Sequence, residues 1–136
     1  MPVITDPLKR RVRYTDIDLS FLPNPVTHDV SVKMDETAIK QSMETLVRTM
    51  FFEKPFHPEI GSDVQKLLFE PVSPLTEIML KDGIINTITN WEPRVDLIDV
   101  STEFRHDYNE VTITITYKIK NTIIPLTAQF ILYRSR

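Results

Sequence analysis

The sequence predicts an α+β fold, a two-layer sandwich in which amphipathic helices pack on a C-terminal antiparallel β-meander. Between residues 34 and 91, apolar residues recur at three- and four-residue steps, which is the spacing of one helical face. In the last third of the chain, apolar and polar residues instead alternate one by one, as in a half-buried strand. A chain of 136 residues is the size of one domain, so we expect one core.

Residues 1–33 are predicted to form an extended N-terminal arm, and residues 34–136 a single α+β domain. The arm is rich in proline and has no lasting period, which favours irregular extended structure. A partly disordered leader is the alternative. Its apolar residues are candidate anchors, namely Tyr14, Ile17, Leu19, Phe21 and Leu22.

The first helix is predicted over residues 35–50, with Asp35 as its N-cap. Its core face is expected to comprise Met34, Ala38, Ile39, Met43, Leu46, Val47 and Met50. Residues 51–61 are predicted to form a loop or a short hairpin, because Pro55 and Pro58 forbid a helix interior. Gly61 would permit a left-handed turn there, and Ser62 would cap a short helix that stops at Pro71.

A longer helix is predicted from Ser73-Pro74, a capping residue followed by proline at the first helical position. It should end near Trp91, before Pro93. Gly83 in its interior costs about 1 kcal/mol relative to alanine, which predicts a kink or close packing there. The expected apolar face consists of Leu75, Ile78, Met79, Ile85, Ile88 and Trp91.

Three strands of an antiparallel meander are predicted after this helix. The first covers residues 95–104, and the third follows a turn at Asn121-Thr122. Between them, residues 111–119 alternate strictly between apolar side chains and threonine or lysine. The preceding helices are expected to cover one face of this sheet.

Composition excludes several functional classes. The net charge of −3 gives no basic excess for a nucleic-acid or anionic membrane partner. No run approaches the roughly 20 apolar residues that a membrane span requires, and no signal-peptide core is present. The absence of cysteine excludes disulfides, a thiol nucleophile and cysteine-bound metal. Two glycines leave no glycine-rich phosphate loop, so we expect no cofactor.

No catalytic or metal site is predicted from residue spacing. His28, His57 and His106 lack a second ligand at metal-binding spacing. No glutamate is followed, nine residues on, by the Asp or Cys of the phage-type lysozyme arrangement. The chain has 19 acidic residues, however, so hydrolysis by a carboxylate pair stays open.

The most unusual local combination is Trp91-Glu92-Pro93-Arg94, at the junction between the long helix and the first meander strand. Pro93 fixes its own φ and favours an extended Glu92, so acid and guanidinium are held around a rigid corner. One interpretation is an internal Glu92–Arg94 or Arg94–Asp96 pair that braces the corner. The other is a docking site, since arginine makes bidentate bonds with carboxylates.

Two segments carry a family resemblance: PFHPEIGSDVQKLLFEPVSPLT (residues 55–76) and NWEPRVDL (residues 90–97). With the meander, they resemble the GPW or lysozyme-like baseplate wedge family of contractile-tailed phages. Relatives of that family include the TssE subunit of type VI secretion and sheath initiators of contractile bacteriocins. The resemblance covers roughly residues 35–133. YTDIDLSFLPNPVTHDV (residues 14–30) is similar to the leader of T-even-like wedge proteins, which favours a phage.

The resemblance implies a structural baseplate protein without enzymatic activity. Glu92, Pro93 and Arg94 would dock on the core bundle of neighbouring wedge proteins, and the sheet would accept arms of tail sheath subunits as added strands. We expect the strand at 110–120 to template this pairing, although it could be an ordinary edge protected by Pro125 and lysines. The expected location is the virion tail baseplate, in several copies assembled in the host cytoplasm. A peptidoglycan-cleaving baseplate enzyme and a free-standing peptide-binding module are the alternatives.

Overall fold

A computed structural model describes residues 14–134. The chain divides after Ile39 into two compact units, and this division falls inside the first helix, α1 (Asp35–Arg48). The assignment of residues 1–33 to an arm stays a prediction. Among the helices of the described range, none is long and apolar enough to cross a membrane.

The N-terminal unit contains a short antiparallel ribbon of two strands, β1 (Thr15–Ile17) and β2 (Val32–Met34). Asp35 follows directly at φ 48°, in the left-handed region that aspartate tolerates better than most residues. Its carboxylate accepts a hydrogen bond from the backbone N–H of Tyr14 at 3.2 Å. The remaining apolar candidates are exposed, and their role as anchors stays a prediction. Those exposed side chains are Ile17, Leu19, Phe21 and Leu22.

The helices α1, α2 (Val64–Leu67) and α3 (Pro74–Trp91) follow the predicted order. The predicted face of α1 is confirmed in its central part, where Ala38, Ile39, Met43 and Val47 are fully buried. The start of α3 is also confirmed. Ser73 Oγ accepts a hydrogen bond from the N–H of Thr76 at 3.1 Å, and Pro74 occupies the first turn.

One prediction between these helices is wrong. Ser62 does not cap α2, because its buried hydroxyl donates to the carbonyl of Val47 at 2.7 Å. Gly61 has a positive φ of 155°, which residues with a Cβ rarely adopt, so the prediction that the chain uses the freedom of glycine here is confirmed. A Cβ at Gly61 would lie 2.6 Å from the carbonyl carbon of Met50, so the two backbone segments meet at a distance that only glycine allows.

The predicted core face of α3 is wrong in the first half of the helix, whereas Ile88 in the second half is buried as predicted. Leu75, Ile78 and Met79 are exposed. This helix is apolar around most of its circumference, so periodicity fits more than one face, and packing against β3 selects between them. The buried residues are Thr76, Leu80, Ile84, Thr87 and Ile88. Close packing at Gly83 is also wrong, because nothing lies within 4 Å of the position its Cβ would take. The α3 helix continues through it.

The C-terminal sheet is an antiparallel meander of order β3-β4-β5. Its strands are β3 (Val95–Arg105), β4 (Glu110–Ile119) and β5 (Leu126–Tyr133). A 3₁₀ turn, His106–Tyr108, joins the first two. One face supplies the core with Val95, Val100, Val111, Ile113, Ile115, Tyr117, Ala128, Phe130 and Leu132. The α+β prediction is therefore confirmed.

The alternating strand β4 lies in the centre of the sheet. It pairs with β3 through Val95–Arg105 and with β5 through Leu126–Tyr133. The expectation that this strand templates an incoming arm is therefore wrong, since its backbone groups are used on both sides. Its regular alternation reflects a central position over the core, and the two edges are β3 and β5.

Candidate functional site

The corner at Glu92-Pro93-Arg94 is fixed by backbone hydrogen bonds at both ends. The N–H of Glu92 donates to the carbonyl of Ile88 at 2.9 Å, which closes the last turn of α3. The carbonyl of Arg94 accepts from the N–H of Lys120 at 2.9 Å, which joins the corner to the end of β4. The helix, the corner and the sheet are thus held in one arrangement.

Glu92 and Arg94 form a bidentate ion pair across the corner. Arg94 Nε donates to Glu92 Oε1 at 2.7 Å, and Arg94 Nη2 donates to Oε2 at 2.9 Å. Of the two internal pairs that the sequence left open, this is the one that forms. The Glu92 side chain is 2% exposed and that of Arg94 is 20% exposed, while Pro93 is exposed.

The electrostatics of the corner keep Glu92 ionised. Burial is the largest influence and acts to raise the pKa of Glu92, but hydrogen bonds from Arg94 and Ser42 and the charge of Arg94 outweigh it. The pKa of Glu92 therefore lies below its ordinary value. A buried carboxylate with two charge-assisted bonds is a strong structural element, and it is unsuited to act as a general acid at neutral pH.

Sequence reasoning did not find Ser42 as a partner of Glu92. Ser42 lies on α1, half-buried between the apolar positions Ile39 and Met43. A small polar residue beside an apolar stripe is the only signal, and it does not name a partner more than forty positions away. The contact joins α1 to the corner, so Glu92 connects α1, α3 and β3.

The outer edge of β5 presents unpaired backbone groups. The N–H of Arg134 donates to the carbonyl of Asn109 at 2.7 Å, and bonding positions alternate along an antiparallel ladder. The backbone groups of Thr127, Gln129, Ile131 and Tyr133 therefore point away from β4. Within residues 14–134, one of these groups has a side-chain partner, since Arg48 Nη2 donates to the carbonyl of Ile131 at 3.3 Å.

The other edge, β3, is less regular. Its register against β4 shifts between Leu97 and Asp99, which is a bulge of the kind that discourages strand addition. The residues whose backbone points outward there, such as Val100, send their side chains into the core. On β5, the corresponding side chains are exposed. The β5 edge is therefore the more suitable template.

A groove of about 250 Å³ lies beside α3. It contains two carboxylates, those of Glu59 and Asp63. A hydrogen bond from its own backbone N–H, followed by one from His57, lowers the pKa of Glu59, so this acid is ionised and does not match a glycosidase proton donor. The full lining is Phe51, Glu59, Gly61, Asp63, Gly83, Asn86, Thr87, Asn90 and Trp91.

The part of the chain that the structure describes has no cluster of three or more His, Asp or Glu side chains that could hold a metal ion. His57 instead pairs with Glu59, at 3.2 Å between Nδ1 and Oε1. The corner, the β5 edge and the groove are thus three candidate interaction surfaces.

Comparison with known sequences identifies the family. The family model described as "Baseplate wedge protein gp25" matches residues 33–123. The chain is 34% identical over 88 residues to baseplate wedge protein gp25 of Enterobacteria phage T4, which covers 65% of this chain and 66% of the T4 protein. It is 29% identical over 89 residues to baseplate protein W of Escherichia phage P2, covering 65% of this chain and 76% of that protein.

Solved structures share the fold. A putative tail lysozyme from Geobacter sulfurreducens superposes with a TM-score of 0.68 at 20% identity, covering 74% of this chain and 92% of that chain. A chain of the postcontracted pyocin R2 baseplate gives 0.61 at 19% identity, covering 79% and 100% respectively. The resemblance stated from the sequence is confirmed. The chain belongs to the gp25 family of baseplate wedge proteins, components of the phage tail baseplate.

Proposed function

We propose that this chain is a structural, non-catalytic adaptor that docks on the core bundle of neighbouring wedge proteins and initiates the tail sheath by strand addition. The proposed docking role rests on the Glu92–Arg94 corner, a rigid charged turn between α3 and β3. Family membership supplies the setting, a baseplate built from several proteins. The chain would be present in several copies in the virion tail, after assembly in the host cytoplasm.

The three corner residues have different tasks in this proposal. Glu92 is too buried to contact a partner, so it acts as a positioning residue that orients the Arg94 guanidinium. Pro93 is exposed and fixes the shape of the turn. A partner would therefore contact Pro93 and the exposed part of Arg94. Buried, pre-oriented groups of this kind reduce the entropy that binding costs.

Sheath initiation is assigned to the β5 edge. An extended sheath arm would pair with the outward backbone groups of Thr127 and Gln129 and add a fourth strand. Arg48, bonded to the carbonyl of Ile131 and to Glu44 at 2.9 Å, covers the far part of this edge. A charged side chain at an edge limits self-association, so the arm would need to displace it.

The enzymatic alternative is peptidoglycan cleavage. It should be tested because the similar Geobacter protein is described as a putative tail lysozyme. Both Glu92 and Glu59 have lowered pKa values, whereas a glycosidase acid needs a raised one. We therefore favour the structural role. Turnover of purified cell wall by the isolated protein would contradict it, and a stable complex with an unrelated short peptide would favour the peptide-binding module.

The docking test is a co-expression pull-down with the wedge proteins encoded beside this chain. Wild type should capture them, and Arg94→Ala should not, with circular dichroism run on both proteins to check that each is folded. Arg105→Ala is the matched control, since Arg105 also pairs with a glutamate, Glu110, at 3.0 Å. Equal capture by wild type and Arg94→Ala would overturn the docking proposal.

The edge test compares two substitutions at Gln129. Proline removes the outward N–H without breaking the β4 ladder, whereas alanine keeps it. Gln129→Pro should weaken binding of purified sheath protein about fivefold, because it removes one edge hydrogen bond worth roughly 1 kcal/mol. Gln129→Ala keeps that hydrogen bond and should bind within about twofold of wild type. Equal sheath binding by the two variants would exclude β5 as the template.

A further inference from the structure

Both glycines of the chain line the groove beside α3, but their surroundings differ. At Gly61 the backbone of Met50 fills the space where a Cβ would lie, so the fold itself requires glycine. At Gly83 that space is open to 4 Å, and the residue lies inside a continuous α-helix. Alanine there would stabilise the helix, so nothing within residues 14–134 explains the glycine.

A glycine without an internal reason on a helix surface permits the close approach of another chain. The surroundings of Gly83 suit such an approach. Asn86 and Asn90 follow it at helical spacing along the same side of α3, where both amides line the groove. The groove leads to Trp91, the residue directly before the corner, so it is continuous in sequence with the proposed wedge contact.

The charge of the groove indicates which kind of chemical group would bind there. Glu59 is bonded to His57 at 3.2 Å, but no side chain within residues 14–134 pairs with the Asp63 carboxylate. Phe51 and Trp91 supply aromatic surface in the same groove. Carboxylate together with aromatic rings is the combination that binds a guanidinium or ammonium group, by ion pairing and by cation–π contact.

We propose that this groove receives an arginine or lysine side chain from a wedge protein, with the partner's backbone lying against Gly83. The cation would meet Asp63, and its aliphatic stem would pack on Phe51 and Trp91. A volume of about 250 Å³ accommodates one long side chain. This inference rests on the proposed wedge-docking function and extends its surface from Arg94 to the groove.

The test measures binding of purified wedge proteins to four variants by calorimetry. Gly83→Ala should raise the Tm by roughly 3 °C and yet weaken binding at least tenfold. Asp63→Asn should weaken binding at least fivefold, and its loss should shrink as salt rises. Asp82→Asn is the matched control, because Asp82 is an exposed acid on α3 outside the groove lining, and it should bind within twofold of wild type.

Arg94→Ala separates this inference from the proposed function. If Arg94→Ala loses binding while Gly83→Ala and Asp63→Asn bind like wild type, the groove inference is overturned and wedge docking stands. If wild type binds no wedge protein, the docking proposal and the groove inference both fail. If Arg94→Ala binds like wild type while Gly83→Ala and Asp63→Asn lose binding, docking at the corner fails and the groove inference stands. A Gly83→Ala variant that is more stable but deficient in binding supports the inference, since a structural role would not separate the two.

Discussion

Each end of β3 carries a Glu–Arg ion pair, and the two pairs differ in how far water reaches the arginine. At the entry, Glu92 pairs with Arg94 through side chains that are 2% and 20% exposed. At the exit, Glu110 pairs with Arg105 through side chains that are 11% and 55% exposed. Water screens the exit pair, which should contribute little. The entry pair is shielded, so removing one partner leaves a desolvated charge.

This difference indicates which pair only stabilises the fold and which pair is suited to bind a partner. The exit pair joins β3 to β4 through an arginine that faces solvent. The entry pair connects α1, α3 and β3, and holds a guanidinium in one orientation beside an exposed proline. Orientation is worth little to a surface pair, but it matters to a group that must meet a partner.

Among the variants that test the difference between the two ion pairs, Glu92→Gln is expected to have the largest effect on stability. It replaces the buried Glu92 carboxylate with a neutral amide beside the Arg94 guanidinium, and should lower the free energy of unfolding by about 3 kcal/mol. Urea denaturation at neutral pH measures this. A loss below about 1 kcal/mol would show that the entry pair contributes no more to the free energy of unfolding than the exit pair does.

The entry pair should also appear in the pH dependence of stability. The pKa of Glu92 in the folded protein is below its ordinary value, so its contribution is complete above about pH 4.3. That contribution is lost as the pH falls through the folded pKa, because the unfolded chain takes up the proton first.

The measurement is the difference in unfolding free energy between wild type and Glu92→Gln from pH 7 to pH 3. This difference should shrink on acidification below about pH 4.3. A constant difference across that range would show that folding does not lower the pKa of Glu92.

The smallest effect is expected at the exit. Arg105→Ala removes a largely solvated partner of Glu110, and should cost at most about 1 kcal/mol. The loss should decrease in 1 M salt, which screens exposed charges. Thermal denaturation at two salt concentrations checks this, and a loss comparable to that of Glu92→Gln would remove the distinction between the two ends.

The sequence predicted the elements whose signals are local. The Ser73-Pro74 start of α3, the corner after Trp91 and the alternation of β4 all depend on neighbouring residues. Features that depend on tertiary packing could not be predicted from the sequence. Periodicity cannot select the buried face of α3, because both sides are apolar. Strict alternation in β4 reports one buried face, and it does not distinguish an edge strand from a central one.

The candidate site could also be predicted only in part. Proline and opposite charges within four residues identified the corner, and spacing limited the partners of Arg94 to two acids. Burial of Glu92, its contact with Ser42 and the open space at Gly83 depend on segments far apart in sequence. No local pattern carries that information.

The central claim is that wedge proteins bind at the entry of β3 and not at its exit. Hydrogen–deuterium exchange of this chain, alone and in complex with purified wedge proteins, tests it most directly. We expect the amides of residues 90–95 to gain protection in the complex, while residues 105–110 exchange as in the free protein. Protection confined to the exit, or equal at both ends, would contradict docking through the Glu92–Arg94 corner.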